Sequence, residues 1–196
     1  MTWEPSIEPN ERDELAGHVF ISYVREDSRR VDRLQRALEL AGIMVWRDTA
    51  NLWPGEDWRR KIRHAITNDA LVFIACFSHQ SLARKKSYQR KELNLAIEEM
   101  QLRSPDEPWL IPVRFDDCEI PDWDIGGGRT LASIERADLF GSRVHQETER
   151  LITVVRRILG QPAADSSPQD KISLIEVIRH HEGYSDRPVE VQADDC

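Results

Sequence analysis

The chain has few of the residues that build metal sites or covalent staples. Its 196 residues include three cysteines, Cys76, Cys118 and Cys196. They are scattered and odd in number, which suits a reducing compartment, and no two stand at the spacing of a metal-ligand pair. The six histidines are dispersed apart from His180-His181, so no metal is expected. No apolar run approaches the roughly 18 residues of a membrane-crossing helix. Residues Met1 to Glu14 are polar and acidic and lack the apolar stretch of a signal peptide. These absences lead to the expectation of a cytoplasmic protein with no membrane contact. Basic residues are outnumbered, 27 Lys and Arg against 35 Asp and Glu, for a formal net charge of −8. An excess of that sign repels a phosphate backbone and argues against direct nucleic-acid binding. No internal repeat is visible.

What is present is a foldable core. Hydrophobic residues make up 40% of the chain and charged residues 32%, which suits one globular domain with tails of about 30–50 residues. Residues 18–24 (HVFISYV) read as a first strand. Val31, Leu34, Leu38 and Ala41 recur at helical spacing over 28–41, with Asp27 or Ser28 available to cap that helix and Gly42 to end it. Ile43 to Trp46 reads as a second strand. A loop over 47–57 carries the turn signal Pro54-Gly55, and a helix follows over 58–67. Residues 70–77 (ALVFIACF) are continuously apolar, as in a central strand buried on both faces of a parallel sheet. Residues 78–86 read as loop and 87–102 as a helix with Leu93, Ala96, Ile97 and Met100 inward. Trp109 to Phe115 is a fourth strand, where Pro112 implies an edge position or an irregularity. Residues 116–135 read as irregular, with Gly126-Gly127-Gly128 a flexible point that lacks the strand–glycine–helix context of a phosphate loop. Ala137 to Leu139 is a short last strand and 143–159 a closing helix. Strands alternating with helices over short connections predict a doubly wound parallel sheet. The domain is bounded at 17–160, after a polar tail over 1–16. Residues 161–196 read as a linker, a possible short helix over 171–182 and a disordered end.

Several residues carry chemistry. Glu92 follows Tyr88 by four, so the two share one helical face. An acid beside an aromatic near a helix N-terminus suits a sugar that carries a flat base. Glu92 reads equally as an exposed helix carboxylate favoured by the macrodipole, and its replacement is then expected to leave folding almost untouched. Ser22, Tyr23 and Arg25 follow the first strand. Tyr23 is a rim ligand or a core aromatic. Arg25 binds a phosphate or pairs with Glu26 or Asp27. Asp48 reaches the same region from the second strand or caps its own loop. Arg84-Lys85-Lys86 with Arg90-Lys91 attracts a pyrophosphate or is solvated loop charge. Trp53, in the 47–57 loop, is an interface anchor or packs back on its own domain.

Three segments in order, Phe20 to Ser28, Arg47-Asp48 through Pro54-Gly55, and Ser87-Tyr88 to Glu92-Leu93, resemble the first box, the second box and the glutamate-bearing helix of Toll/interleukin-1 receptor (TIR) domains, especially bacterial NAD-cleaving ones. The resemblance covers about residues 17–160. Tyr88 stands where the family usually has tryptophan. The Phe-Trp pair of the animal receptors' third box is absent, Phe140 being the nearest residue. The resemblance implies a flavodoxin-like five-stranded parallel sheet of order 2-1-3-4-5. It implies Glu92 as catalytic residue and Ser22, Tyr23, Arg25, Asp48 and Tyr88 as substrate-binding residues. It also implies NAD+ as substrate with no other cofactor, a homo-oligomer through the Arg47–Asp57 loop, and a role in prokaryotic antiviral defence with a possible partner defence protein. In that order the switch point lies between strands one and three, where doubly wound sheets bind ligands.

Two other classes compete with this reading. A TIR scaffold acts through homotypic contacts alone and has no evident need for an acid at position 92. A phosphotransfer receiver shares the sheet order but needs acids where Ser22-Tyr23 and Phe77-Ser78 stand, so it fits poorly.

Overall fold

A computed structural model describes residues 18–47, 66, 70–84, 88–104 and 108–161. The expected tails, most of the 47–57 loop and most of the 58–67 helix lie outside the described residues.

The sheet is built on β1 (His18–Ser22) and β3 (Ala70–Phe77). β1 is buried at all five positions and β3 at every position but Leu71. β2 (Val45–Arg47), β4 (Leu110–Arg114) and β7 (Ala137–Asp138) complete it. Every neighbouring pair is parallel and the order is β2-β1-β3-β4-β7. This is the expected flavodoxin-like arrangement, with β7 as its fifth strand. Side chains alternate across the sheet. Val19, Ile21, Val72, Ile74 and Cys76 pack with Val31, Leu34 and Leu38 of α1 (Ser28–Leu40) and with Leu151, Ile152 and Val155 of α4 (Val144–Ile158). Phe20, Phe73, Ala75 and Phe77 pack on the other face with Leu93 and Ala96 of α3 (Tyr88–Leu102). Phe20 and Phe73 stack at 5.2 Å on that second face. The isolated residue Ile66 is buried in the same cluster.

Local chemistry sets the element ends. α1 closes in a Schellman motif: Ile43 N–H donates to the Leu38 carbonyl at 3.0 Å and Gly42 N–H to that of Glu39 at 2.9 Å. Gly42 takes φ 74°, which its missing Cβ allows. Asp27 stands at the N-cap of α1 but makes no capping bond there. Its carboxylate instead accepts from Arg30 at 3.0 Å and from Ser78 Oγ at 2.5 Å, which corrects the capping role read from sequence. The expected loop after β3 contains a short helix, α2 (His79–Ala83). Ser78 Oγ accepts from Ser81 N–H while Ser81 Oγ accepts from Ser78 N–H, a reciprocal capping box. The spacing Ser-x-x-Ser was the available signal.

Pro112 is not on an edge strand. β4 lies between β3 and β7, with Pro112 opposite Ala75. Trp109 and Phe115 bond toward β3, and Arg114 accepts from Leu139 on the β7 side. By this alternation position 112 turns its nitrogen toward the β7 side, where pairing begins only at Val113. The missing N–H thus removes no ladder bond. The three consecutive glycines are structured as well. β5 (Asp124–Gly126) and β6 (Arg129–Thr130) form an antiparallel hairpin. Gly127 and Gly128 form its turn at φ 64° and 71°, the positive pair that a two-residue I′ turn requires. Cys76 and Cys118 are buried free thiols. Burial raises both pKa values, that of Cys118 to about 12, so neither is a reactive thiolate at neutral pH.

The β4–β7 edge is held by a bidentate pair. Arg114 Nε and an Arg114 terminal nitrogen each donate to an Asp138 oxygen at 2.7 Å. Those bonds hold the Asp138 carboxyl below its ordinary pKa, against partial burial that raises it. A carboxyl acidified by folding stabilises the fold above its unfolded pKa of about 3.9 and loses that contribution as pH falls through the folded value. Asp138→Asn is therefore expected to cost about 1 kcal/mol at pH 7, and its deficit should be smaller at an acid pH well below the unfolded value of about 3.9. Urea unfolding at both pH values checks this; an equal deficit at both would mean the contribution is not ionic.

Candidate functional site

Ser22 is the last residue of β1 and continues the Phe20 face, toward α3. Its Oγ donates to Glu92 Oε2 at 2.5 Å. Glu92 lies in the second turn of α3, and the two side chains are 1% and 4% exposed. The expectation of an exposed helix carboxylate is thus corrected. The first turns of α3 overhang the C-terminal end of the sheet, so an acid one position before Leu93 is covered rather than solvated. Gln89, one turn earlier and also buried, donates its side-chain amide to the Cys76 carbonyl and, at 3.5 Å, to that of Ser22. The N-terminal half of α3 is thereby tied to the ends of β1 and β3, the strands that flank the switch point. Gln89 was missed from sequence; it reads there as one more polar residue in a charged run.

Tyr88 is the first residue of α3, four before Glu92; the placement of its side chain lies outside what is described. Asp48 and Trp53 lie outside the described residues. Tyr23, one residue after Ser22, belongs to the opposite face. It packs against the α1–α4 cluster with the Arg47 guanidinium 5.9 Å above its ring. Arg47 also pairs with Asp32 at 2.6 Å. Arg25 is exposed in the 3-10 turn Arg25–Asp27. Its two acidic neighbours bond elsewhere, Glu26 to Arg84 and Asp27 to Arg30 and Ser78. The structure therefore brings Ser22 and Glu92 into contact and Tyr88 onto the same helix, while Tyr23 turns to the other side of the sheet.

Two further features border this region. Burial raises the pKa of Asp27, opposed by its bonds from Ser78 and Arg30. Arg30 also reaches Asp116 at 3.3 Å, so this acid fastens the turn after β1 to the turns after β3 and β4. A cleft of about 190 Å³ lies beside α3, lined in part by Phe77, Gln89, Leu93 and Trp123. Arg84 and Arg90 stand at it, the first paired with Glu26 and the second 5.0 Å over the Trp123 ring. Among the described residues no group of His, Cys, Asp and Glu is placed to hold a metal, and no helix is long and apolar enough to cross a membrane.

A doubly wound α/β domain of order β2-β1-β3-β4-β7, with a buried acid bonded to the end of its first strand, defines the structural class. The family model for TIR domains matches residues 19–152, well over half of the chain, and the chain belongs to that family. It is similar to the TIR domain of the Toll-related receptor TRR-2 from Hydra magnipapillata, at 24% identity and a TM-score of 0.55, over 70% of this chain and 97% of that one. That likeness supports the fold. The TIR domains of the activated Roq1 resistosome that recognises the pathogen effector XopQ align at 18% identity over 90% of each chain, with a TM-score of 0.45, too low to carry an argument. No curated protein matches the chain.

Removing the Ser22 hydroxyl takes one donor from a buried carboxylate. Ser22→Ala is expected to cost about 1–3 kcal/mol and Ser22→Thr much less, read as thermal midpoints at neutral pH. An alanine variant as stable as the wild type would show that this bond holds nothing in place.

Proposed function

We propose that this TIR domain cleaves the nicotinamide–ribose bond of NAD+, with Glu92 as its catalytic carboxylate. What carries the reading is the place of Glu92. The residue that the resemblance matches to the family's catalytic glutamate lies at the ends of β1 and β3, with one carboxylate oxygen held by Ser22. Ligands of doubly wound sheets bind at such switch points. The chemistry needs only one acid. Nicotinamide is cationic in NAD+ and leaves as a neutral base, so no general acid is required. The bond breaks with positive charge building on the ribose, which a preorganised carboxylate opposes. An O-glycosidase, by contrast, needs two carboxyl groups. In this reading Tyr88 stacks on the ribose or the base, and Ser22, Arg25 and Asp48 complete the site and its rim, while Tyr23, packed on the opposite face, takes no part. Water as acceptor yields ADP-ribose; an internal nucleophile of the adenosine moiety yields a cyclic isomer. NAD+ is a substrate and no separate cofactor takes part. The setting that the resemblance suggests is prokaryotic antiviral defence, in the cytoplasm, alongside a possible partner defence protein.

One observation favours a second reading. Glu92 is nearly inaccessible and has a structural task, accepting the Ser22 bond. A non-catalytic TIR scaffold acting through homotypic contacts has use for such a residue too. The two readings separate in one assay: purified protein is incubated with NAD+, with and without a crowding agent, and products are identified by mass spectrometry. Glu92→Gln keeps an oxygen that accepts the Ser22 hydroxyl but removes the charge. It is expected to lower turnover by at least ~10²-fold with a thermal midpoint close to that of the wild type. Cleavage by the variant at the wild-type rate would assign Glu92 to structure alone.

Self-association is part of the proposal. The Arg47–Asp57 loop carries Trp53, of the residue type most often found as an interface anchor. Activity is expected to rise more than linearly with protein concentration, and Trp53→Ala to reduce association and turnover together. Constant specific activity across a ~100-fold dilution, in a chain that light scattering finds monomeric with NAD+ bound, rules the assembly out.

A further inference from the structure

We propose that Gln89 is a positioning residue for the Glu92 site: its side-chain amide locks the first turn of α3 onto both strands of the switch point and so fixes where the Glu92 carboxylate stands. The inference rests on the proposed NAD+ chemistry for its catalytic readout and on the hydrogen-bond geometry for its structural one.

Past the last pair of β1 and β3, Ser22 opposite Ala75, the ladder supplies no N–H to the Cys76 carbonyl, which needs a donor from elsewhere. Gln89 Nε2 supplies it and, at 3.5 Å, also bonds the Ser22 carbonyl on β1. Gln89 and Glu92 are three apart, on neighbouring positions of one helix face, and both are buried against the same strand ends. Ser22 is thus held twice by α3, through its carbonyl by Gln89 and through its hydroxyl by Glu92. A shift of the first turn of α3 alters the Ser22–Glu92 bond directly. A carboxylate that must face a developing cation tolerates little displacement, since about 1 Å of misplacement costs up to ~10²-fold in rate. Two acceptor carbonyls require a donor, and this sets the side-chain chemistry. Glutamine has the reach and the N–H. Methionine has the reach without the donor. Glutamate presents a repelling carboxylate at neutral pH and a donating O–H once protonated.

The test compares wild type, Gln89→Met and Gln89→Glu, each kept well below its own melting temperature. With NAD+, Gln89→Met is expected to lose at least ~10-fold in kcat while KM stays within ~2-fold, since orientation rather than binding is lost. Gln89→Glu is expected to match it at pH 8 and to gain on the wild type as pH falls toward 5.5, because protonation restores a donor. A merely space-filling role predicts no such pH-dependent ratio. Wild-type kcat in Gln89→Met, or a flat Gln89→Glu to wild-type ratio across pH, overturns the proposal. If the wild type itself cleaves no NAD+, the functional reading fails, and hydrogen exchange then tests the clamp separately. Gln89→Met should speed exchange of the first two turns of α3 by at least ~10-fold relative to α4. Unchanged exchange there overturns the clamp as well.

Discussion

The pairing of β1 with β3, two strands buried on both faces, is the constraint on which the molecule depends. A strand that is apolar on both sides must be covered on both sides. α1 and α4 cover one face and α3 the other. The parallel ladder aligns the C-terminal ends of the strands, so the turns after β1, β3 and β4 meet at one edge. Polar groups gather there because the ladder has run out of partners. Asp27 binds Ser78 and Arg30, Arg30 reaches Asp116, Gln89 binds the strand carbonyls, and Ser22 binds Glu92. The candidate site is the part of that edge on the α3 side.

Burial gives Glu92 two meanings that are physically compatible. A carboxylate held by a fixed donor in a dry setting loses little in reorganisation, which is what electrostatic stabilisation of a developing cation needs. The same bond also fastens a helix to a sheet. Asp27, on the opposite face of the sheet edge, shows the structural use by itself: a buried acid with a raised pKa that joins three turns. What distinguishes Glu92 is its position on the α3 side of the switch point, next to residues that the family motifs single out.

Much of the fold was legible along the chain because the signals were local. The eight-residue apolar run at 70–77 coincides with β3, and the helical stripes of α1, α3 and α4 lie within a residue or two of expectation. Readings failed where local signals conflicted or were silent. Asp27 looked like a cap, yet a serine 51 residues away claimed its carboxylate. Pro112 looked like an edge marker, yet the neighbouring strand is too short to need its N–H. The three glycines looked flexible, yet Gly126 ends a strand and Gly127 and Gly128, both at positive φ, form the defined turn of a hairpin.

The sequence by itself determined the alternation of strands and helices, the faces each helix buries and the motifs that mark the family, because each is written in residues a few positions apart. Tertiary structure alone decided what Glu92 meets. Ser22 lies 70 residues before it, and only the packing of α3 over the ends of β1 and β3 brings hydroxyl and carboxylate together and removes them from water. It also decided that adjacent residues diverge, Ser22 toward α3 and Tyr23 toward α1, since side chains alternate along a strand and the two faces of this sheet are covered by different helices.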